Sequence, residues 1–128
     1  MKHLEFKLQR QITRYLRLNY KNVMFLSDTI ANIKLTAPQK ARNKSIQCDD
    51  FHCPDLLILQ PNKKYKGLFI ELKIKSPYLK NGELSSIEHI QNQAKTMLRL
   101  RDLGYYACFS WEFEQCKKII DNYMNNSL

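Results

Sequence analysis

Leu4, Leu8, Ile12 and Tyr15, with Leu16 beside them, recur at the spacing of one helical face, so an amphipathic helix is expected over residues 3–19. Glu5 and Gln9 each follow an apolar member of that series by one position and therefore flank the buried stripe without opposing it. Residues 22–28, NVMFLSD, are short and apolar and predict a strand. The chain then turns polar and basic. Within that stretch Thr36 followed by Pro38 predicts a short helix through PQKARNKS, because the N–H that proline lacks is not needed in a first helical turn.

Residues 55–60, DLLILQ, and 68–75, LFIELKIK, predict two strands joined by the turn PNKKYKG, a hairpin over residues 55–75. Side chains alternate along a strand, which puts Leu68, Ile70, Leu72 and Ile74 on one face and Phe69, Glu71, Lys73 and Lys75 on the other. The first face is expected to be core and the second to carry chemistry. After the loop SPYLKNGELSS, Ser85 or Ser86 is expected to cap a helix that runs to Leu103 and stops at Gly104. Ile90, Ala94, Met97 and Arg101 are expected on its inner side, flanked by Leu98 and Leu100. Gln93 shares the stripe of Ile90, Met97 and Leu100, so its amide needs partners inside the protein. Residues 105–110, YYACFS, predict a strand, and residues 112–124 a helix with Phe113, Cys116, Ile120 and Tyr123 on one side. The order helix, strand, hairpin, helix, strand, helix predicts a mixed α/β layer around a small sheet.

The length of 128 residues and a hydrophobic fraction of 44% suit one folded domain over residues 1–128. Twenty-one Lys and Arg against twelve Asp and Glu give a formal net charge of +9, which either draws the protein to polyanions, nucleic acid first, or serves solubility alone. The four cysteines form no CxxC pair and the N-terminal residues lack the apolar run of a signal peptide, so a reduced, cytoplasmic and unsecreted chain is expected. No apolar stretch reaches the roughly 20 residues that cross a bilayer. Cys48, His52 and Cys53 make one partial ligand cluster, without the second spaced pair of a structural zinc site.

Asp55 follows Pro54 at the mouth of one strand of the hairpin, and Glu71 lies inside the other. Antiparallel neighbours let the two carboxylates reach one region, where they repel unless a cation lies between them, and oxygen ligands suit Mg²⁺ or Mn²⁺. Lys73, two residues after Glu71, points the same way and can reach a water or phosphate oxygen there. Metal, water and phosphate together describe phosphodiester hydrolysis. The plainer alternative makes Glu71 and Lys73 a half-exposed ion pair on a solvent-facing sheet, worth little to stability.

This constellation resembles the PD-(D/E)XK nuclease superfamily, with Pro54-Asp55 as its PD and Glu71-Leu72-Lys73 as its (D/E)XK element. It is similar in particular to the virus-type replication-repair nuclease (VRR-NUC) family: the strand GLFIELK, a helix with a glutamine at Gln93 and an exit at Gly104-Tyr105, and an opening helix with Glu5 in an E-x-x-x-Q pattern. These five elements stand in the family's order. The resemblance implies a restriction-endonuclease-like core, a small mixed sheet flanked by helices. It implies Asp55, Glu71 and the Leu72 carbonyl as ligands of Mg²⁺ or Mn²⁺, and Lys73 as catalytic lysine. Glu5 becomes an additional or outer acidic ligand, and Gln93 a residue that orients the lysine or a water. It further implies a homodimeric, structure-selective endonuclease acting in DNA repair on branched DNA such as Holliday junctions, in a microbial or phage-infected cell. One departure stands out: His52 occupies a position, two before the proline, where many relatives have glycine.

Lys34, Lys40, Arg42, Lys44, Lys75, Tyr78 and Lys80 bracket the expected site and suit phosphate contacts, although each also suits a solvated surface. His89 lies one helical turn before Gln93, and Asp49 and Asp50 read as loop-capping groups. Two further readings remain beside the nuclease: a module that binds nucleic acid without cutting it, and a purely structural subunit.

Overall fold

A computed structural model describes residues 4–27 and 34–128. The first residue of the expected opening helix, His3, and the last of the first expected strand, Asp28, lie outside the described residues. The opening helix, α1 (Leu4–Asn19), buries Leu8, Ile12 and Leu16 as the 3.6-residue period requires, and Gln9 and Thr13 with them. Leu4, expected in that stripe, is 41% exposed. Strand β1 (Phe25–Ser27) follows, and then α2 (Ala37–Ile46). Thr36 caps α2 reciprocally with Gln39: the Gln39 N–H donates to Thr36 Oγ1 and the Thr36 N–H to Gln39 Oε1, with Pro38 in the first turn. None of the residues of α2 is buried, so local capping and not a core contact holds this helix.

Strands β2 (Leu56–Ile58), β3 (Leu68–Leu72) and β4 (Tyr106–Ser110) complete a sheet in the order β1-β2-β3-β4. The first two pairings are antiparallel, with Leu56 opposite Ile70, and β3 pairs with β4 in parallel, with Glu71 opposite Phe109. A parallel pair needs a crossover, here α3 (Glu88–Asp102). Its last turn ends at Leu103 and Gly104, whose φ of +100° a residue with a Cβ adopts only under strain. Helix α4 (Phe113–Met124) closes the described chain. The expected mixed α/β layer is therefore a four-stranded mixed sheet flanked by helices.

One face of the sheet presents Leu56, Ile58, Leu68, Ile70 and Leu72 to Leu8, Ile12 and Leu16 of α1 and to Cys116, Ile120 and Tyr123 of α4. Each fully buried Leu or Ile there contributes about 1.5–3 kcal/mol. Between the helices, Asp121 Oδ1 accepts hydrogen bonds from the hydroxyls of Tyr15 (2.5 Å) and Tyr20 (2.6 Å), fastening α1 to α4. The opposite face packs Phe69, Ala107 and Phe109 against Met97 and Leu100 of α3.

Further expectations change. The face of Phe69 is a second core as well as a chemical face, because the crossover helix covers it. Strand β3 ends at Leu72 and not at Lys75: the Lys73 N–H still bonds to the carbonyl of Ser110, the last residue of β4, and beyond it no strand continues the ladder. Ile74 is consequently 57% exposed and no part of the core. On α3 the buried residues are Gln93, Thr96, Met97 and Leu100, while Leu98 is exposed; and the helix begins after Ile87 with no side-chain cap, Ser85 Oγ accepting only the Ile87 N–H. No described helix is long and apolar enough to cross a membrane.

Candidate metal centre and its surroundings

Asp55 is the last residue before β2 and Glu71 the penultimate residue of β3, so the antiparallel register carries both to the same end of the sheet. The buried Pro54 fixes the approach of the chain, and Asp55 Oδ2 accepts the backbone N–H of Leu72 at 2.9 Å. That bond locks the Asp55 carboxylate against the backbone of β3 immediately after Glu71. The first turn of α1 brings Glu5 to the same place. Among the described residues, Glu5, Asp55 and Glu71 form a group whose carboxylate oxygens lie within 4.8 Å of one another, Asp55 and Glu71 being buried. Cys48 and Cys53, by contrast, are exposed thiols on the loop before β2.

Three carboxylates so close are electrostatically unfavourable by themselves. Burial raises the pKa of Glu71 most, the hydrogen bond with Asp55 and repulsion from Asp55 raise it further, and the total places it at about 10 despite the opposing pull of Lys73. Glu5 also titrates higher than usual, through burial first and repulsion from Asp55 second, with Lys73 again acting the other way. Without a cation the Glu71 carboxyl therefore keeps its proton beside Asp55. A hard divalent cation would replace that proton and take the oxygens as ligands, so the donor set fits Mg²⁺ or Mn²⁺.

Lys73 emerges half-buried just past β3, its Nζ 6.0 Å from the centroid of the Phe109 ring. On α3, Gln93 is buried and its Nε2 lies 3.1 Å from His89 Nε2. Burial lowers the pKa of His89, and Lys73 and His52 lower it further while Asp55 acts the other way. Gln93 Oε1 is buried with no partner among the described residues, an unused acceptor on the helix that covers this face. His52 is tied in by its own backbone: its N–H donates to Thr96 Oγ1 at 3.0 Å, anchoring the segment before Pro54 to α3.

The fold thus brings Glu5, Asp55 and Glu71 together and sets Lys73 within electrostatic reach of Glu5 and Glu71. The Leu72 peptide adjoins them through its N–H to Asp55. Lys40, Arg42 and Lys44 are exposed on α2, Lys34 before it, and Lys75, Tyr78 and Lys80 are exposed on the loop after β3. Asp50 has a φ of 55°, and its carbonyl accepts a bond from Arg99 on α3. Two supporting residues escaped the sequence reading. Thr96 was legible as a polar position one turn after Gln93 on the buried stripe. Ser27, whose Oγ accepts from Gln9 Nε2 at 2.6 Å, becomes visible only when β1 meets α1.

Neither a protein-family model nor a curated protein matches this sequence. A solved structure described as a VRR_NUC domain protein superimposes with a TM-score of 0.63 over 94% of this chain and 88% of that one, at 16% sequence identity. At that identity the likeness is one of fold, and this chain accordingly has the fold of that VRR_NUC domain protein.

Proposed function

We propose that this protein is a VRR-NUC nuclease, a divalent-metal-dependent endonuclease that hydrolyses phosphodiester bonds in DNA. The observation that carries the proposal is the convergence of Glu5, Asp55 and Glu71 at one end of the sheet, beside Lys73, in a chain with a formal net charge of +9. Asp55 and Glu71, with the Leu72 carbonyl, would hold Mg²⁺ or Mn²⁺, and Glu5 would complete or support the set. When bound, the cation would supply charge withdrawal from the phosphoryl oxygens and a lower pKa for the attacking water.

The chain's own groups do the rest. The Leu72 N–H keeps the Asp55 carboxylate oriented before any ligand arrives, so little reorganisation accompanies binding. The ammonium of Lys73 stabilises the negative charge that develops on the phosphate as the water adds. Gln93 has an unspent carbonyl oxygen with which to orient a water or the lysine. The exposed Lys34, Lys40, Arg42, Lys44, Lys75 and Lys80 supply the phosphate contacts that hold a DNA backbone. Branched DNA as the preferred substrate, a homodimer with two centres making paired cuts, a place in DNA repair and a cytoplasmic setting follow from the family resemblance and belong to the same proposal. A module that binds DNA without cutting it has no use for three mutually repelling carboxylates, which oppose phosphate.

Purified protein incubated with labelled four-way junction, flap, single-stranded and duplex DNA in Mg²⁺, Mn²⁺ or EDTA tests the proposal, with Asp55→Ala and Lys73→Ala alongside. Metal-dependent cutting that both variants lose is expected, the lysine variant falling about a hundredfold to a thousandfold in rate. Tight binding without cutting in any metal would refute the nuclease, and full activity of Lys73→Ala would refute the role given to the lysine. Sedimentation of the free protein and of its junction complex reads the dimer directly.

A further inference from the structure

Among the described residues, the order of the sheet leaves β4 with one edge unpaired. Along that edge, between α3 and α4, runs a cleft of about 470 Å³. Its floor is Phe109, buried and directly opposite Glu71 in the β3–β4 register. Its rim carries Tyr78, 44% exposed, and Trp111, half-buried. Tyr78 meets both neighbours edge to face, with its ring centroid 6.3 Å from that of Phe109 and 5.9 Å from that of Trp111. The cleft therefore begins one strand away from the carboxylates, and Lys73 Nζ stands 6.0 Å from the ring at its floor.

These aromatic residues are held in place before any ligand arrives. The loop carrying Tyr78 is closed by a bridge between Tyr78 and Leu84, by Leu79 N–H to the Glu83 carbonyl, and by a turn at Gly82, whose φ is +86°. Gln115 Oε1 accepts the backbone N–H of Trp111 at 2.8 Å and the hydroxyl of buried Ser110 at 3.0 Å. Farther along the cleft the guanidinium of Arg101 lies 5.0 Å from the Tyr106 ring and bonds through Nε to the Ala107 carbonyl, taking up an acceptor of β4. The Cys108 thiol in the same lining is pushed up to about 12 by burial, which leaves it protonated and inert.

We infer that this cleft is a base-stacking subsite for an unpaired nucleotide of the DNA strand engaged at the carboxylate centre, with Tyr78 and Trp111 supplying the stacking faces. The occupant follows from chemistry. Aromatic faces with the cation of Arg101 in the lining, and that of Lys73 outside it at 6.0 Å from the Phe109 ring, match a flat heteroaromatic base on an anionic backbone. A base paired in a duplex has both faces covered, so the subsite selects single-stranded segments, such as those at a fork or flap, and gives the proposed nuclease a preference by structure without reading sequence. The inference rests on that proposed function for its biological meaning, yet its test needs no cutting.

Trp111 is the chain's sole tryptophan, so its fluorescence reports on this cleft alone. The full chain in EDTA is titrated with a thymidine oligonucleotide, the same length of abasic oligonucleotide, and a duplex. Thymidine should quench Trp111 and bind about fivefold to a hundredfold more tightly than the abasic strand. Tyr78→Ala should bring the thymidine affinity down towards the abasic value, and Tyr78→Phe should restore it, since the ring and not the hydroxyl stacks. Equal affinity for thymidine and abasic strands with no quenching would overturn the inference even if the protein cleaves DNA. A Trp111 signal that changes with protein concentration in the absence of DNA, together with self-association, would overturn it by giving the cleft to a second copy of the chain. Quenching and base preference without cleavage in any metal would uphold the subsite and remove the nuclease reading instead.

Discussion

Asp121 and the Glu5, Asp55 and Glu71 group are both carboxylate sites at which α1 meets the rest of the fold, and they differ in what surrounds the oxygens. Asp121 on α4 receives two phenolic hydroxyls through one oxygen, so its charge is answered by donors and the contact fastens two helices. At the other end of α1, Asp55 accepts one backbone N–H, and two more acids have carboxylate oxygens within 4.8 Å of its own. Donors around a carboxylate make an internal clamp that requires nothing further; acceptors around a carboxylate make a site that holds a proton or calls for a cation. Residue type and burial alone therefore do not separate structure from function here. The chemistry of the neighbours does.

The largest test of this contrast exchanges consequences between the two sites. Asp55→Ala should lower metal-dependent cleavage by more than about a hundredfold, because it removes a proposed ligand that is already oriented; in the metal-free fold the relief of repulsion is set against a buried Leu72 N–H left without its acceptor, so the melting temperature should change little. Asp121→Ala should behave the opposite way, leaving two hydroxyls without their acceptor at a cost of about 1–3 kcal/mol and leaving cleavage by the folded protein unchanged. Parallel cleavage rates and melting curves read both. Equal losses of cleavage in the two variants would end the distinction.

The pH dependence should separate the sites as well. Glu71 binds its proton more tightly in the folded state, so its contribution is fully present below pH 4.5 and is lost as the pH rises towards about 10, the folded protein then carrying repelling charges. Tyr15 is pushed up from 10 to about 12 by burial and by its bond to Asp121, so the contribution of the clamp is complete below pH 10 and is lost only from there to about 12. Melting temperatures in EDTA should thus decline from the acidic side through neutrality. Mg²⁺ should flatten that decline, and so should Glu71→Gln. The alkaline loss above pH 10 should be indifferent to Mg²⁺ and reduced in Tyr15→Phe.

The smallest effect probes the clamp alone. Tyr20→Phe leaves Asp121 one of its two donors and removes a single charge-assisted hydrogen bond, which should cost about 1 kcal/mol in a denaturant melt. A loss as large as that of Asp121→Ala would mean that the two tyrosines act as one unit.

Much of this molecule was legible in the order of its residues. Periods of 3.6 marked α1, α3 and α4, a Thr-Pro signal marked α2, and alternation marked the β2–β3 hairpin, because each of these depends on neighbours close in sequence. The fold class followed from their order and agrees with the superposition on the VRR_NUC domain protein. Reading failed where a distant element sets the limit. Lys73 to Lys75 alternate as a strand should, but β4 supplies no partner past Ser110, so Ile74 turns out to solvent. Leu98 looked apolar enough to flank the core, yet only the arc of α3 that meets Phe69, Ala107 and Phe109 is covered.

By itself, then, the sequence determined which side chains carry charge, the elements on which they ride, and the proximity of Asp55 to Glu71 through one hairpin. Only the tertiary structure decided that Glu5 completes their group, that Gln93 keeps an unused acceptor, and that Tyr78, Phe109 and Trp111 come together along the edge of β4. The physical reason is the range of the forces. Backbone geometry propagates for a few residues, whereas repulsion between carboxylates, burial of an amide and stacking of rings depend on distances that exist only after α1, β3 and β4 have packed.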